Sequence, residues 1–213
     1  PALCAMLGPD QLPDVREKSA TALGKMKDPG ATDALIKLMS DPASKLQAAA
    51  AMALGSIKDP RAALALLAGL RSPYREASDA CAKALREMKD PGVVETLLPA
   101  LKDENVRVRR VAAQVLSGIS DPRVTAPLQA AMNDPDDDVR RAAAGALSAG
   151  GDAQSVEVFI RSLKDPSPEI RRVAVVQIGQ SRDPRAVEPL IEVLQKDNNR
   201  MVRWTAANTW KGR

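Results

Sequence analysis

Residues 121–151 read DPRVTAPLQAAMNDPDDDVRRAAAGALSAGG, and variants of this unit fill the chain. The unit opens on an Asp-Pro pair. The same pair recurs at Asp28-Pro29, Asp59-Pro60, Asp90-Pro91, Asp121-Pro122 and Asp183-Pro184, while Asp152-Ala153 keeps only its Asp. Successive members are 31 residues apart, at positions 28, 59, 90, 121, 152 and 183. A fixed period of this length is the sequence signature of a repeat protein.

Each Asp-Pro pair predicts the start of a helix. An Asp at the N-cap accepts a hydrogen bond from a free backbone N–H, and a Pro at the first helical position loses no hydrogen bond. Apolar residues follow seven and eleven positions after the Asp, which places both on one helix face. The two columns are Leu35, Leu66, Leu97, Leu128, Phe159, Leu190 and Met39, Leu70, Leu101, Met132, Leu163, Leu194. We therefore predict a first helix, helix A, in every unit.

A second break, such as Asp134-Pro135, predicts a second helix, helix B, in every unit. Its two apolar columns are Val15, Leu46, Ala77, Val108, Val139, Ile170 and Leu23, Leu54, Leu85, Leu116, Leu147, Ile178. Between them runs a column of small residues that lets neighbouring hairpins pack closely: Ser19, Ala50, Cys81, Ala112, Ala143, Ala174. A further column of glycine and serine is expected to loosen helix B near its end: Gly24, Gly55, Ser117, Ser148, Gly179.

The fold class that follows is all-α, a right-handed α-solenoid of about six to seven helical hairpins. We expect one solenoid domain over 1–213, with units near 1–27, 28–58, 59–89, 90–120, 121–151, 152–182 and 183–213. The last helix B is displaced by one residue, so that Val202 and Trp210 occupy its apolar columns. The chain opens inside a helix and stops where another Asp is due, which suggests an excerpt of a longer array.

Composition excludes several kinds of active site. The chain has no histidine, which rules out Ser-His-Asp triads and His-ligated metal sites. Its two cysteines, Cys4 and Cys81, form no CxxC motif. We predict no catalytic residue, no cofactor, no metal and no enzyme activity. No apolar run is long enough to span a membrane. The cysteine usage favours the cytoplasm, and the start at Pro1 leaves a removed leader open.

The hairpin unit resembles the HEAT repeat, specifically the short, phycobilisome-lyase-like class. Asp183 to Leu194 (DPRAVEPLIEVL) and Pro166 to Ala174 (PSPEIRRVA) show the resemblance best, and it covers essentially the whole chain. That class includes bilin lyase subunits, deoxyhypusine hydroxylase and signalling scaffolds. The hydroxylase holds iron with His-Glu pairs. Because this chain has no histidine, that activity is not implied here. The repeat identifies no chromophore-binding residue that would transfer a lyase activity.

The resemblance implies a ladder of Asp–Arg hydrogen bonds between neighbouring hairpins. An Asp stands six residues before an Arg in five units: Asp10 and Arg16, Asp103 and Arg109, Asp134 and Arg140, Asp165 and Arg171, Asp197 and Arg203. Charge-assisted bonds of this kind would set the stacking of the hairpins. The second and third units depart from the pattern at Gln47 and Ser78, and looser stacking is expected there.

The column after the ladder arginines is the candidate partner-binding surface. The resemblance places the B helices on the concave side, where Arg110, Arg141 and Arg172 would form a basic ridge with a spacing of about 10 Å. Arg107 shares this face, and Trp204 ends the ridge. An arginine in the first turn opposes the helix dipole, so helix stability does not explain it. A solvated helix face is the alternative interpretation. Tyr74, at the start of a helix B, is a further candidate contact.

Three functions remain open. The first is a protein–protein interaction scaffold that binds an acidic or phosphorylated protein partner along the concave face. The second is nucleic-acid binding through the basic ridge, as in the HEAT-like alkylpurine DNA glycosylases; Asp138, Glu169 and a net charge of only +4 count against it. The third is a non-catalytic or lyase-type subunit of a chromophore lyase. Oligomeric state is not indicated by the sequence.

Overall fold

The computed structural model describes residues 2–150, 156–181 and 183–211, and the regular elements in these ranges are all helices. The A helices are α1 (Ala2–Ala5), α3 (Thr32–Leu38), α5 (Ala63–Gly69), α7 (Val94–Ala100), α9 (Thr125–Ala131), α11 (Val156–Ser162) and α13 (Val187–Lys196). The B helices are α2 (Pro13–Met26), α4 (Ser44–Ile57), α6 (Arg75–Glu87), α8 (Val106–Leu116), α10 (Asp137–Gly150), α12 (Pro168–Ser181) and α14 (Arg200–Lys211). The predicted all-α solenoid of helical hairpins is confirmed.

The chain divides into two compact units, a first unit of residues 1–115 and a second unit of residues 116–213, each of which holds several of the 31-residue repeats. The first contains α1 to α7 and nearly all of α8; the second contains α9 to α14. Within each unit, successive B helices pack side by side, for example α4 on α6 and α12 on α14. The prediction of one domain over 1–213 stays a prediction.

The Asp-Pro pairs cap a single 3₁₀ turn that leads into each helix A. Where the Asp-Pro pair lies in the described ranges, the Asp carboxylate accepts a hydrogen bond of 2.7–3.0 Å from the backbone N–H two residues on. The Pro is the first residue of the turn, as in Pro29–Ala31, and the α-helix begins only after it. The predicted N-cap role is confirmed, and helix A proper starts about one 3₁₀ turn later than the Pro.

The predicted apolar columns form the core. Nearly all of their members are buried, and every member of the small-residue column from Ser19 to Ala174 is buried. The exceptions are Val15 and Met39, which are half-buried, and Leu194, which is 36% exposed.

The glycines near the ends of α2 and α4 act differently from the prediction. Both helices continue past them, and both glycines are buried. A Cβ on Gly24 would lie 2.7 Å from the Cα of Ala53, and one on Gly55 would lie 2.7 Å from the Cα of Ala84. The predicted loosening of helix B is wrong at these positions: glycine is there because adjacent B helices approach to backbone contact.

Replacing Asp59 with Ala is expected to destabilise the fold by about 2 kcal/mol, because its carboxylate does more than cap a turn. It also accepts a bond from the hydroxyl of buried Thr32 (2.9 Å) in the preceding hairpin and pairs with Arg61. The hydrogen bond from Arg61 is the main cause that lowers the pKa of Asp59. Its stabilisation is therefore present above the ordinary Asp pKa of about 3.9 and is lost as pH falls through the lowered value.

Urea unfolding at neutral and acidic pH measures this effect. Asp28→Ala is the matched control, because the carboxylate of Asp28 caps its turn through Gly30 and its loss should cost only about 1 kcal/mol. Equal losses in the two variants would show that the Thr32 and Arg61 contacts of Asp59 add nothing to the cap.

Candidate functional site

Two ladder arginines of the second unit, Arg140 and Arg171, bridge one hairpin to the next. Arg140 donates to both oxygens of the Asp165 carboxylate at 2.8 and 3.2 Å, and to the backbone carbonyl oxygen of Asp134 at 2.9 Å. Arg171 repeats the arrangement, with Asp197 at 2.8 and 3.0 Å and the carbonyl oxygen of Asp165 at 2.7 Å. Each arginine thus closes its own loop and grips the carboxylate of the following hairpin, which fixes hairpin stacking.

The other predicted ladder residues have partly different partners. Arg203 donates to the carbonyl oxygen of Asp197 at 2.6 Å, and Arg109 donates to that of Asp103 at 2.8 Å. Asp10 stands outside this arrangement: its carboxylate accepts a bond from Gln11. Arg16 nevertheless forms a rung, since it pairs with Asp41 of the following hairpin at 2.7 Å, and it donates to the carbonyl oxygen of Leu7 in place of that of Asp10.

A neutral bond replaces the ion pair where the sequence departs from the pattern. Gln47 donates to the carbonyl oxygen of Asp41 at 2.7 Å and accepts from the hydroxyl of Ser72 at 3.0 Å, so its amide satisfies the same two neighbours as an arginine. Ser78 donates instead to the carbonyl oxygen of Arg75. Looser stacking is not seen between the second and third hairpins, where α4 and α6 approach closely at Gly55; between the third and fourth hairpins it stays a prediction.

Electrostatics keep the ladder charged. The hydrogen bonds that Arg140 and Arg171 donate to Asp165 and Asp197 respectively raise the pKa of each arginine. Burial acts to raise the pKa of Asp197, but the bonds from Arg171 and from the backbone of Asn199 outweigh it, so that pKa is lowered. The guanidiniums of Arg140 and Arg171 and the carboxylate of Asp197 are therefore ionised at neutral pH, and these residues serve the fold.

The predicted basic ridge has members in both units. In the first unit Arg110 is half-buried. In the second, Arg141 and Arg172 are exposed. The guanidinium of Arg141 is held by two carboxylates of its own helix, Asp138 at 2.8 Å and Asp137 at 3.2 Å. Arg172 has no hydrogen-bond partner among the residues that the structure describes, so it presents an available cation.

Two candidate contacts of the first unit differ in character. Arg107 pairs with Asp79 of the preceding hairpin, and its Nε is buried without a partner among the described residues. That pairing ties α8 to α6, which gives Arg107 a structural role. Tyr74 is 47% exposed and immediately precedes α6, where nothing in its surroundings distinguishes it as a contact.

Trp204 is the most conspicuous exposed side chain of the second unit. It is 60% exposed on α14, and Met201, one turn before it on the same helix, is 51% exposed. Arg200, the first residue of α14, is also exposed and has no hydrogen-bond partner within the described ranges. The side chain of Trp210, predicted to pack in the core, lies outside the described residues.

Sequence reasoning missed a second network at the Asp-Pro turns. Arg61 pairs with Asp59 of its own turn and reaches Asp33 of the preceding helix A at 3.2 Å. Arg185 pairs with Asp183 and approaches Glu157 at 3.8 Å. The signal was present in the sequence: an acidic residue stands 28 positions before the Arg of an Asp-Pro-Arg turn.

Chemistry-bearing groups do not converge in the described part of the chain. No cluster of three or more Asp, Glu or Cys residues there could hold a metal ion. Burial raises the pKa of the Cys81 thiol to about 12, which makes it unreactive packing. Over the same residues, the helices are too short or too polar to cross a bilayer.

Comparisons with known proteins agree on the fold. No curated protein matches the chain. Among solved structures, the chain is similar to YibA of Escherichia coli, with 23% identity, a TM-score of 0.63, and coverage of 98% of this chain and 80% of that one. An engineered protein matches with 22% identity, a TM-score of 0.54, and coverage of 98% and 66%. The complex of CpcE and CpcF of phycocyanin lyase from a Nostoc species matches at 22% identity with a TM-score of 0.47, over 98% and 85%.

At identities this low, the likenesses to YibA and to the engineered protein show the shared fold alone. The family comparison goes further, because a model of HEAT repeats matches residues 1–82, 63–148 and 127–209. These overlapping segments cover nearly the whole sequence and follow the hairpins described above. The chain belongs to the HEAT-repeat family.

Proposed function

We propose that this chain is an interaction scaffold that binds a partner protein on the Trp204 surface, defined as Arg172, Arg200, Met201 and Trp204. The exposure of Trp204 carries the proposal. An exposed tryptophan leaves a large apolar area in water, and its burial against a partner would contribute far more than that of an average surface residue.

The composition of the surface supports a protein partner. Tryptophan, methionine and arginine are the residue types enriched at the centres of protein–protein interfaces. All four residues lie on adjacent B helices, α12 and α14, which pack against each other. HEAT repeats generally mediate protein interactions, and the absence of histidine argues against the commonest catalytic arrangements.

Charge argues against nucleic acid as the first choice. A nucleic-acid surface needs several free cations that follow a phosphate backbone. In the second unit Arg141 is neutralised by Asp137 and Asp138, and exposed Glu169 lies close enough to Arg141 and Arg172 for both to lower its pKa. A lyase-type subunit role would use the same partner-binding surface and is therefore a special case of the scaffold.

Trp204→Ala is expected to abolish capture of the partner from an extract and to leave the free energy of unfolding within about 0.5 kcal/mol of the parent. A photo-crosslinking residue at position 204 should then yield one adduct of defined mass. The same residue at Arg161, exposed on helix A of the preceding hairpin, is the matched control. Undiminished capture by Trp204→Ala, or equal adducts at both positions, would refute the proposal.

A nucleic-acid ligand gives a different result. Binding would weaken with salt at a slope of about −0.9 per phosphate contact, and nuclease treatment would remove the adduct at position 204. That outcome would replace the protein partner with nucleic acid.

A further inference from the structure

Most arginines at the starts of the second unit's B helices are already engaged. Arg140, Arg171 and Arg203 bind backbone carbonyl oxygens of their own hairpins. Arg141 is held by the carboxylates of its own helix. Arg172 and Arg200 remain, both exposed and without a hydrogen-bond partner among the described residues.

Helix stability does not explain the positions of these two guanidiniums. Each stands in or next to the first turn of its helix, where a positive charge opposes the helix dipole by about 0.3–1 kcal/mol. The first turn of α14 contains no acidic residue that would offset Arg200. On α12, the nearby carboxylate of Glu169 accepts from the hydroxyl of Ser167 at 3.0 Å and makes no hydrogen bond to Arg172.

We infer that the partner of the Trp204 surface is an acidic peptide segment. Its carboxylates would pair with Arg172 and Arg200, and a large apolar side chain beside them would cover Trp204 and Met201. The inference rests on the proposed function and names the chemistry of its partner. The surface and such a segment are complementary in charge, because two exposed guanidiniums lie on the same pair of packed helices as the exposed apolar side chains, and each guanidinium suits one carboxylate.

A phosphorylated segment fits this surface less well. Phosphate recognition generally uses several arginines that converge on one dianion. Here the two available arginines stand on different helices, and the neighbouring Arg141 is occupied. The pKa of Glu169 is lowered, first by a hydrogen bond from its backbone N–H, so this carboxylate is ionised beside Arg172.

The test uses short labelled peptides that are rich in glutamate and contain a central leucine. Two companion sets replace the glutamates with lysine or with phosphoserine. Fluorescence anisotropy measures binding, and a Trp210→Phe background leaves Trp204 as the sole tryptophan, whose emission reports contact directly. The glutamate peptides are expected to bind and to change that emission, while the lysine peptides do neither.

Charge reversal at Arg172 and Arg200 together is expected to weaken glutamate-peptide binding by about tenfold or more. Reversal of Arg161 and Lys164, which are exposed near the end of α11, changes the net charge equally and should alter binding less than about twofold. An equal loss of peptide affinity in both double variants would mean that the peptides respond only to the net charge of the protein, and this result would overturn the inference.

Two other outcomes also overturn it: binding of the phosphoserine set in preference to the glutamate set, or no binding of glutamate peptides. Both leave the scaffold proposal intact if Trp204→Ala still abolishes capture of the natural partner. The scaffold proposal fails only on unchanged capture by Trp204→Ala or on equal adducts at positions 204 and 161, so the two failures are distinguishable.

Discussion

Replacing Arg171 with Met is expected to lower the free energy of unfolding by about 3–5 kcal/mol. The substitution would strand a carboxylate, Asp197, whose side chain is only 5% exposed, together with the carbonyl oxygens of Asp165 and Pro166. An unpartnered buried charge costs more than the pair itself contributes. Urea unfolding followed by circular dichroism measures the loss.

Two further variants separate this cause from others. Arg172→Met changes the same residue type at the next position, where the side chain is exposed, and should cost less than about 0.5 kcal/mol. Arg171→Met combined with Asp197→Leu removes the stranded charge and should recover part of the loss. A single Arg171→Met variant as stable as Arg172→Met would show that the rung does not hold the hairpins together.

The pH dependence that Asp197 contributes should weaken in the Arg171→Met variant. In the parent its pKa is lowered, so its stabilisation is present above the ordinary value of about 3.9 and is lost as pH falls through the lowered value. Without Arg171, burial remains and the main compensating bond is gone, while the bond from the backbone of Asn199 and the charge of Arg203 remain, so the pKa should be higher than in the parent. The part of the stability that this group loses on acidification should therefore be smaller in Arg171→Met than in the parent.

Gly55→Ala is expected to destabilise the first unit by about 2–3 kcal/mol, although alanine favours helices over glycine. The new Cβ would stand 2.7 Å from the Cα and 2.8 Å from the Cβ of Ala84, and backbone atoms there cannot move without separating α4 from α6. Thermal unfolding measures the effect as a lowered Tm.

Gly145→Ala supplies the opposite control. Gly145 lies within α10 and is exposed. A Cβ added there would meet no atom beyond its own helix turn within 4 Å, so alanine should stabilise the fold by about 0.5–1 kcal/mol. Adding Ala84→Gly to Gly55→Ala should restore little, because the clash with the Cα persists. Two glycine variants that shift Tm in the same direction would contradict the backbone contact.

Periodicity alone was enough to predict the hairpins. Leu54, Leu85 and the other members of their column recur every 31 residues. A residue that recurs in this way serves the packing contact that every repeat shares. The same reasoning failed for Gly55, since a glycine near a helix end reads equally as a flexible terminus or a close approach. The distance between adjacent helices decides between these two interpretations, and the periodicity of the sequence gives no information on that distance.

The candidate site was less predictable for a related reason. A column places Arg141 and Arg172 on equivalent positions, yet one is neutralised by Asp137 and Asp138 and the other is available. The column also predicted a ridge of arginines. Met201 and Arg200 became candidate contacts only because the structure shows that both are exposed on the same helix as Trp204. Columns describe what units share, and a binding site depends on where one unit differs.

The spacing of the ladder rungs bears on how such a chain can change in length. Arg140 reaches Asp165, 25 positions on, and Gln47 reaches Ser72 over the same span. Because each rung joins a unit only to the next one, duplication or loss of one whole 31-residue unit leaves the rungs elsewhere in the chain in place. A gene for this protein can therefore grow or shrink by whole units with little change of core, while an insertion inside a unit has to be accommodated within a single rung. The extra residue between Arg171 and Asp197, a span of 26, is tolerated because α13 is longer than its counterparts.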